Sequence, residues 1–172
     1  MDIKGENVEA QADTRIPVAF SVVSGSLYVL LGLLQLLAGM NRIFIGPDIL
    51  VPLADLLLVP ADIIGSFVLI LIGTVFIYGV IEMRSGIYEG VSYAYVGILL
   101  SLIFAIIYLF VSTGNMLEAY ILRNEDFAEW TPLSDLKPGI YLAIFSLFAF
   151  IRWKDMFEPA KAKGINNDQR NT

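Results

Sequence analysis

The sequence predicts an all-α membrane protein: a four-transmembrane-helix antiparallel bundle, with a short outer amphipathic or re-entrant helix between spans 1 and 2 and an interfacial helix between spans 3 and 4. Three observations predict it. Of 172 residues, 57% are hydrophobic and 16% charged, with a mean hydropathy of +0.72, whereas soluble domains run at roughly 45–50% apolar and about 25% charged. Four apolar runs approach the roughly 20 residues that cross a bilayer as a helix. Lysine and arginine collect in alternate connections, as they do in cytoplasmic loops.

The first span is read over residues 16–40, about 37 Å of helix at 1.5 Å per residue, enough to cross with some tilt. Asp13 and Thr14 stand where a cap is wanted, and Pro17 falls in the first turn, where its missing N–H is not needed. The run is too long for the apolar core of a signal peptide. The second span, about 60–83, and the third, about 91–111, are joined by the short connection 84–90, which forces them antiparallel. The fourth, about 136–151, is the shortest, with Asp135 as its expected N-cap and Pro138 in its first turn. Arg152, Trp153 and Lys154 then form an interfacial anchor.

Residues 43–59 are apolar enough to suggest a fifth span. They contain Pro47, Asp48, Pro52 and Asp55, and only Pro60 and Ala61 separate them from the second span, which leaves no room for a turn. They are read instead as a short helix lying on the outer face or dipping in and returning. In the connection 112–136, Asn115 followed by Glu118 resembles a capping box. Met116, Leu117, Tyr120 and Ile121 would give an interfacial helix one apolar side, ahead of the acidic stretch 124–130. The expected organisation is a flexible cytoplasmic N-terminus (1–12), a membrane domain (13–157) and a flexible cytoplasmic tail (158–172).

With the N-terminus inside, the cytoplasmic segments hold Lys4, Arg15, Arg84, Arg152, Lys154, Lys161, Lys163 and Arg170, and the outer loops hold Arg42, Arg123 and Lys137. Eight against three places both termini in the cytoplasm.

Several chemistries have no residues to carry them. Without cysteine or histidine there is no disulfide, thiolate site or imidazole base. A net charge of −6 gives nucleic acid no basic face. Phosphate loops, nucleophile elbows and metalloprotease helices are missing. The expectation is therefore no bound cofactor or metal and, on balance, no enzyme.

Small and weakly polar residues form a stripe on each span. On the first they are Ser21, Gly25, Tyr28, Gly32, Gln35 and Gly39. On the third they include Gly97, Ser101, Ala105 and Tyr108. Shorter sets are Asp62, Ser66 and Gly73 on the second, and Gly139, Ala143 and Ser146 on the fourth. Steps of three and four put each set on one helix face. Such faces let helices approach closely in lipid, so Ser21, Gly25, Gly32, Gly39, Gly97, Ser101 and Ala105 are read as a packing seam. The competing reading is a solute path, with Gln35, Tyr28, Thr74, Ser101 and Tyr108 as polar points along it.

Carboxylates at membrane depth suggest cation binding or proton relay. Asp48 and Asp62 each have a structural role available near a helix start, which leaves Asp55 as the leading candidate, with Asp62 and Gln35 as further ion or solute contacts. The function expected is a non-enzymatic multi-pass membrane protein, an accessory subunit or homo-oligomeric component whose partners are the lipid bilayer and other membrane subunits or itself. The alternative is a small channel or transporter using outer-leaflet carboxylates such as Asp55. A stripe of small residues left facing lipid would favour association, and a water-accessible cavity reaching Asp55 would favour transport.

Overall fold

In a computed structural model the backbone is described for residues 3–43, 51–85, 89–127 and 129–157, and side chains for 16–41, 52–85, 90–127 and 129–153. Asp48 and the tail 158–172 lie outside these residues. The chain is all-helical among the described residues. Helix α1 spans Ile3–Ile43, α2 Val51–Leu56, α3 Ile63–Arg84, α4 Glu89–Leu117 and α5 Pro138–Phe157. Three stretches are long and apolar enough to cross a membrane, Ile16–Asn41, Ile63–Arg84 and Gly90–Leu122, and Pro138–Trp153 is a shorter apolar helix.

Element boundaries differ from the expected ones where a capping signal is present but unused. α1 starts at Ile3, so Asp13 and Thr14 fall inside the helix and do not begin it. The Lys, Glu, Ala, Gln and Arg residues that precede the apolar run are good helix formers and carry the helix back. α3 starts one residue after Asp62, which is its N-cap: the carboxylate accepts the Gly65 N–H at 2.9 Å. α4 does not stop at residue 111, nor does a new helix begin at Asn115. It runs to Leu117 and widens into a π turn, Glu118–Leu122, ended by Arg123 in the left-handed region. A capping box acts only where the backbone leaves helical geometry at the cap, and the Asn115 amide instead donates to the Asp135 carboxylate at 2.9 Å. Asp135 also accepts from the Trp130 indole at 3.0 Å. It therefore closes the connection onto the end of α4 and does not cap α5, which opens on Pro138.

The long helices pack in chain order. Gly25 faces Gly73 and Phe76, Gly32 faces Leu69 and Ile70, and Gly39 faces Ile63, an antiparallel register down the whole of the α1–α3 contact. Gly79 meets Gly90 and Ala94, and Gly97 meets Phe76, the antiparallel α3–α4 contact. On the far side, Tyr108 meets Gly139 and Tyr95 stacks on Phe150 with centroids 6.1 Å apart, so α5 runs back along α4. By contrast α1 and α5 touch only sparingly. The α1 and α3 backbones come close at Gly25 and Gly73, where a Cβ on Gly73 would stand 2.8 Å from the Gly25 carbonyl oxygen.

All seven residues read as the packing seam are buried: Ser21, Gly25, Gly32, Gly39, Gly97, Ser101 and Ala105. Large apolar residues such as Leu30, Ile64, Phe67, Phe110, Ile144 and Phe148 are more than 60% exposed. A soluble protein reverses this arrangement; in lipid, apolar side chains gain nothing by hiding, and close dispersion contact through small residues drives association instead.

Candidate functional site

The buried face of α1 carries four polar side chains, Ser21, Ser24, Tyr28 and Gln35. Midway along it, Tyr28 is 1% exposed, shares a 2.5 Å hydrogen bond with Ser101 of α4 and lies beside the Ser146 hydroxyl of α5. Phe76 of α3 stacks on its ring, centroids 6.0 Å apart. Ser146 and Ser21 are fully buried, and neither hydroxyl has a hydrogen-bond partner.

A second polar layer lies seven residues further along α1, about 10 Å away. Its centre is the Cα of Gly65. A Cβ placed there would stand 2.6 Å from Asp62 Oδ2, 2.7 Å from Gln35 Nε2 and 2.8 Å from the Tyr108 hydroxyl oxygen. Three helices thus aim polar atoms at one point beside the Gly65 Cα, a convergence that even a methyl side chain at residue 65 would crowd. Asp62 Oδ1 is occupied by the helix cap and Oδ2 faces this point. Gln35 is 1% exposed, and its Oε1 has no hydrogen-bond partner. Lys137 places its ammonium 5.3 Å from the centroid of the Tyr108 ring, a cation on a π face at the rim.

Buried polar groups without partners are costly, on the order of 1–3 kcal/mol each, and more so where lipid excludes water. Two oxygens, the Asp62 carboxylate and the Tyr108 hydroxyl, meet the Gln35 amide nitrogen here, and the Gln35 carbonyl oxygen is left unsatisfied beside them; with that carbonyl turned inward the three oxygens would suit a small hard cation or a protonated amine. Below this layer Gly32 packs on Leu69, and Leu69 and Ile72, each 1% exposed, separate it from the Tyr28 layer.

Two of the three candidate contacts, Asp62 and Gln35, are therefore brought together. Asp55 is exposed on α2 and is not among the three side chains nearest the Gly65 point. The helix carrying it ends in a Schellman motif in which Val59 N–H bonds to the Ala54 carbonyl and Leu58 N–H to that of Asp55, with Leu58 at φ 53°. Thr74 is no path point, since it is exposed and its hydroxyl donates to the Ile70 carbonyl of its own helix. At the opposite end Tyr78 packs edge-on against Tyr93, centroids 4.9 Å apart. Among the described residues no three acidic side chains converge to hold a metal. Sequence reasoning counted Lys137 only as a loop charge. Its place beside Pro138, at the start of the apolar helix α5, is the one local signal that could have singled it out.

Comparison with the curated proteins and with the solved structures finds no match. Residues 12–155 match the family described as the MJ0565 integral membrane domain. That stretch takes in every long apolar helix and both polar layers, and the chain belongs to this family of integral membrane proteins.

Proposed function

We propose that the protein is a four-span carrier for a small cation, with Asp62, Gln35 and Tyr108 as its binding site at the outer end and both termini in the cytoplasm. One observation carries the reading: polar atoms from three helices converge on the bare Cα of Gly65, and one contributor, Gln35, is buried with a carbonyl oxygen that nothing satisfies. Intramembrane groups of this kind are retained for function by default. The apolar layer of Leu69 and Ile72 blocks a straight path, which favours a carrier that opens by helix movement over a standing pore.

The fourth span of this reading is α5. From Pro138 to Trp153 it measures about 24 Å, short of a hydrocarbon core of about 30 Å. Lys137 and Arg152 at its ends are placed to make up the difference by snorkelling. The eight-to-three basic count supports the orientation. The accessory-subunit or homo-oligomer reading drew on the small-residue stripes, and all seven seam residues are used inside the molecule. The surface offers large aliphatic side chains, which suit lipid.

The test is flux into vesicles reconstituted with the purified protein, read with ion-sensitive dyes for sodium, potassium, protons and small amines. Uptake of one of these cations above protein-free background, reduced at least tenfold by Asp62→Asn with the fold intact, is the expected result. Background flux across the whole panel in the wild type would end the carrier reading and leave association as the surviving one.

A further inference from the structure

We propose that the open seam between α1 and α5 holds one anionic phospholipid, its acyl chain in the groove and its phosphate on Arg152. The seam is where the first and last helices fail to close on one another. A cavity of about 600 Å³ opens there, lined by Ile16, Phe20, Val23, Phe148, Arg152 and Trp153 among others. Phe20 and Val23 also line a smaller recess of about 70 Å³ that continues inward to Ser24, Tyr28 and Leu142. Together the two run along α1 from Ile16 to Tyr28, about 18 Å at 1.5 Å per residue. That is close to half of a hydrocarbon core of about 30 Å, the depth of a single leaflet.

Length selects the occupant. A transmembrane helix, whether from a second copy or a different protein, needs a groove running the full thickness, and this one is stopped by Tyr28 and Leu142 at mid-depth. An acyl chain from one leaflet ends at that level. Charge selects the headgroup: among the described residues Arg152, at the mouth, has no ion-pair partner, and its guanidinium can take a phosphate through two parallel hydrogen bonds, with net attraction favouring an anionic headgroup over a zwitterionic one that carries its own ammonium beside the phosphate. Trp153, buried against Phe20 with ring centroids 5.1 Å apart, forms the adjoining wall at the same level. The seam lies at the opposite end of the molecule from Asp62, so the inference stands apart from the carrier reading.

Trp153 reports on the groove directly. In a Trp130→Phe background it is the only indole, and phospholipids with brominated chains quench it on contact. Bilayers of zwitterionic phosphatidylcholine are doped with brominated phosphatidylglycerol or brominated phosphatidylcholine. The anionic lipid is expected to reach half-quenching at about a fivefold lower mole fraction, the factor set by one arginine near a charged headgroup. Arg152→Gln should erase that preference, and Arg84→Gln, at the same end of the molecule but outside the groove, should keep it. Should Trp130→Phe destabilise the protein, the mass of the detergent-purified wild type with its retained lipids supplies the second measurement: one anionic phospholipid per chain, lost in Arg152→Gln. Equal quenching by the two lipids, a preference that survives Arg152→Gln, or one lost equally with Arg84→Gln would overturn the proposal. So would a Trp153 shielded from both lipids until the protein is diluted in the bilayer, the mark of a second copy in the seam.

Discussion

Tyr28 of α1 and Ser101 of α4 share a 2.5 Å hydrogen bond between two helices that otherwise scarcely touch. With Ser146 of α5 beside the phenol and Phe76 of α3 stacked on its ring, one side chain engages every other long helix. Tyr28→Phe removes the hydroxyl and keeps the ring. Within a membrane such bonds couple by about 0.6 kcal/mol on average, so a double-mutant cycle of Tyr28→Phe with Ser101→Ala should give a coupling of about that size in unfolding from mild detergent. Additive effects would mean that the bond contributes nothing beyond its two separate side chains.

Two glycines test the packing at matched chemistry. A Cβ on Gly73 would meet the Gly25 carbonyl oxygen at 2.8 Å and the Val29 backbone nitrogen at 2.9 Å, neither of which can rotate away, whereas one on Gly114 would meet nothing within 4 Å. Gly73→Ala should therefore destabilise by about 1–3 kcal/mol through overpacking. Gly114→Ala should be neutral or stabilise by up to about 1 kcal/mol through helix propensity. Thermal unfolding of the pair in one detergent decides, and equal stabilities would mean that α1 and α3 stand further apart than this register places them.

Asp62 and Asp55 separate charge from capping. Asparagine caps a helix about as well as aspartate, so Asp62→Asn should leave the melting temperature nearly unchanged, while Asp62→Ala should lose about 1 kcal/mol. Any cation flux should fall in both variants. Asp55, exposed on α2, should tolerate Asp55→Asn with no loss of flux and a stability change within about 0.5 kcal/mol. A flux defect at Asp55 but not at Asp62 would move the site to the outer helix.

Single cysteines are read cleanly because the native chain has none. Ser85 and Asn124 are exposed at opposite ends of the molecule. In intact cells an impermeant thiol reagent should label a cysteine at Asn124 and not one at Ser85. Labelling at Ser85 alone would invert the orientation and put the Asp62 site on the cytoplasmic side.

What the sequence disclosed best was spacing. Steps of three and four along α1 and α4 fall on Ser21, Gly25, Gly32, Gly39, Gly97, Ser101 and Ala105, which are buried, while Tyr108 of the same stripe is only half-buried; small side chains at those intervals admit a neighbouring backbone whatever the neighbour is. Caps were harder to read. Asp62 caps α3, yet Asn115 and Asp135, equally plausible on local grounds, bond to each other across the connection, a choice settled by where the chain folds back and not by the residues flanking either one. The polar site was half visible: Asp62 and Gln35 were candidates, but their meeting at Gly65 depends on the α1–α3 register, and the place of Lys137 over Tyr108 on that of α4 and α5. Asp55 drew attention for want of a structural role, a criterion that does not distinguish a site from an exposed helix.

The succession of neighbours along the molecule also sets a simple order of assembly. Each long helix finds its main partner in the one made just before it, so a ribosome feeding the chain into a bilayer delivers every contact pair in sequence, and no helix has to be threaded between two that are already joined. Stability should accumulate in the same order, with the α1–α3 pair settled before α5 emerges. The last helix arrives with one side committed to α4, and what it adds beyond that is its sparse meeting with α1 and the bond from the Tyr141 hydroxyl to the Leu57 carbonyl, which makes the α1–α5 boundary the first to part when the molecule is heated or diluted in detergent.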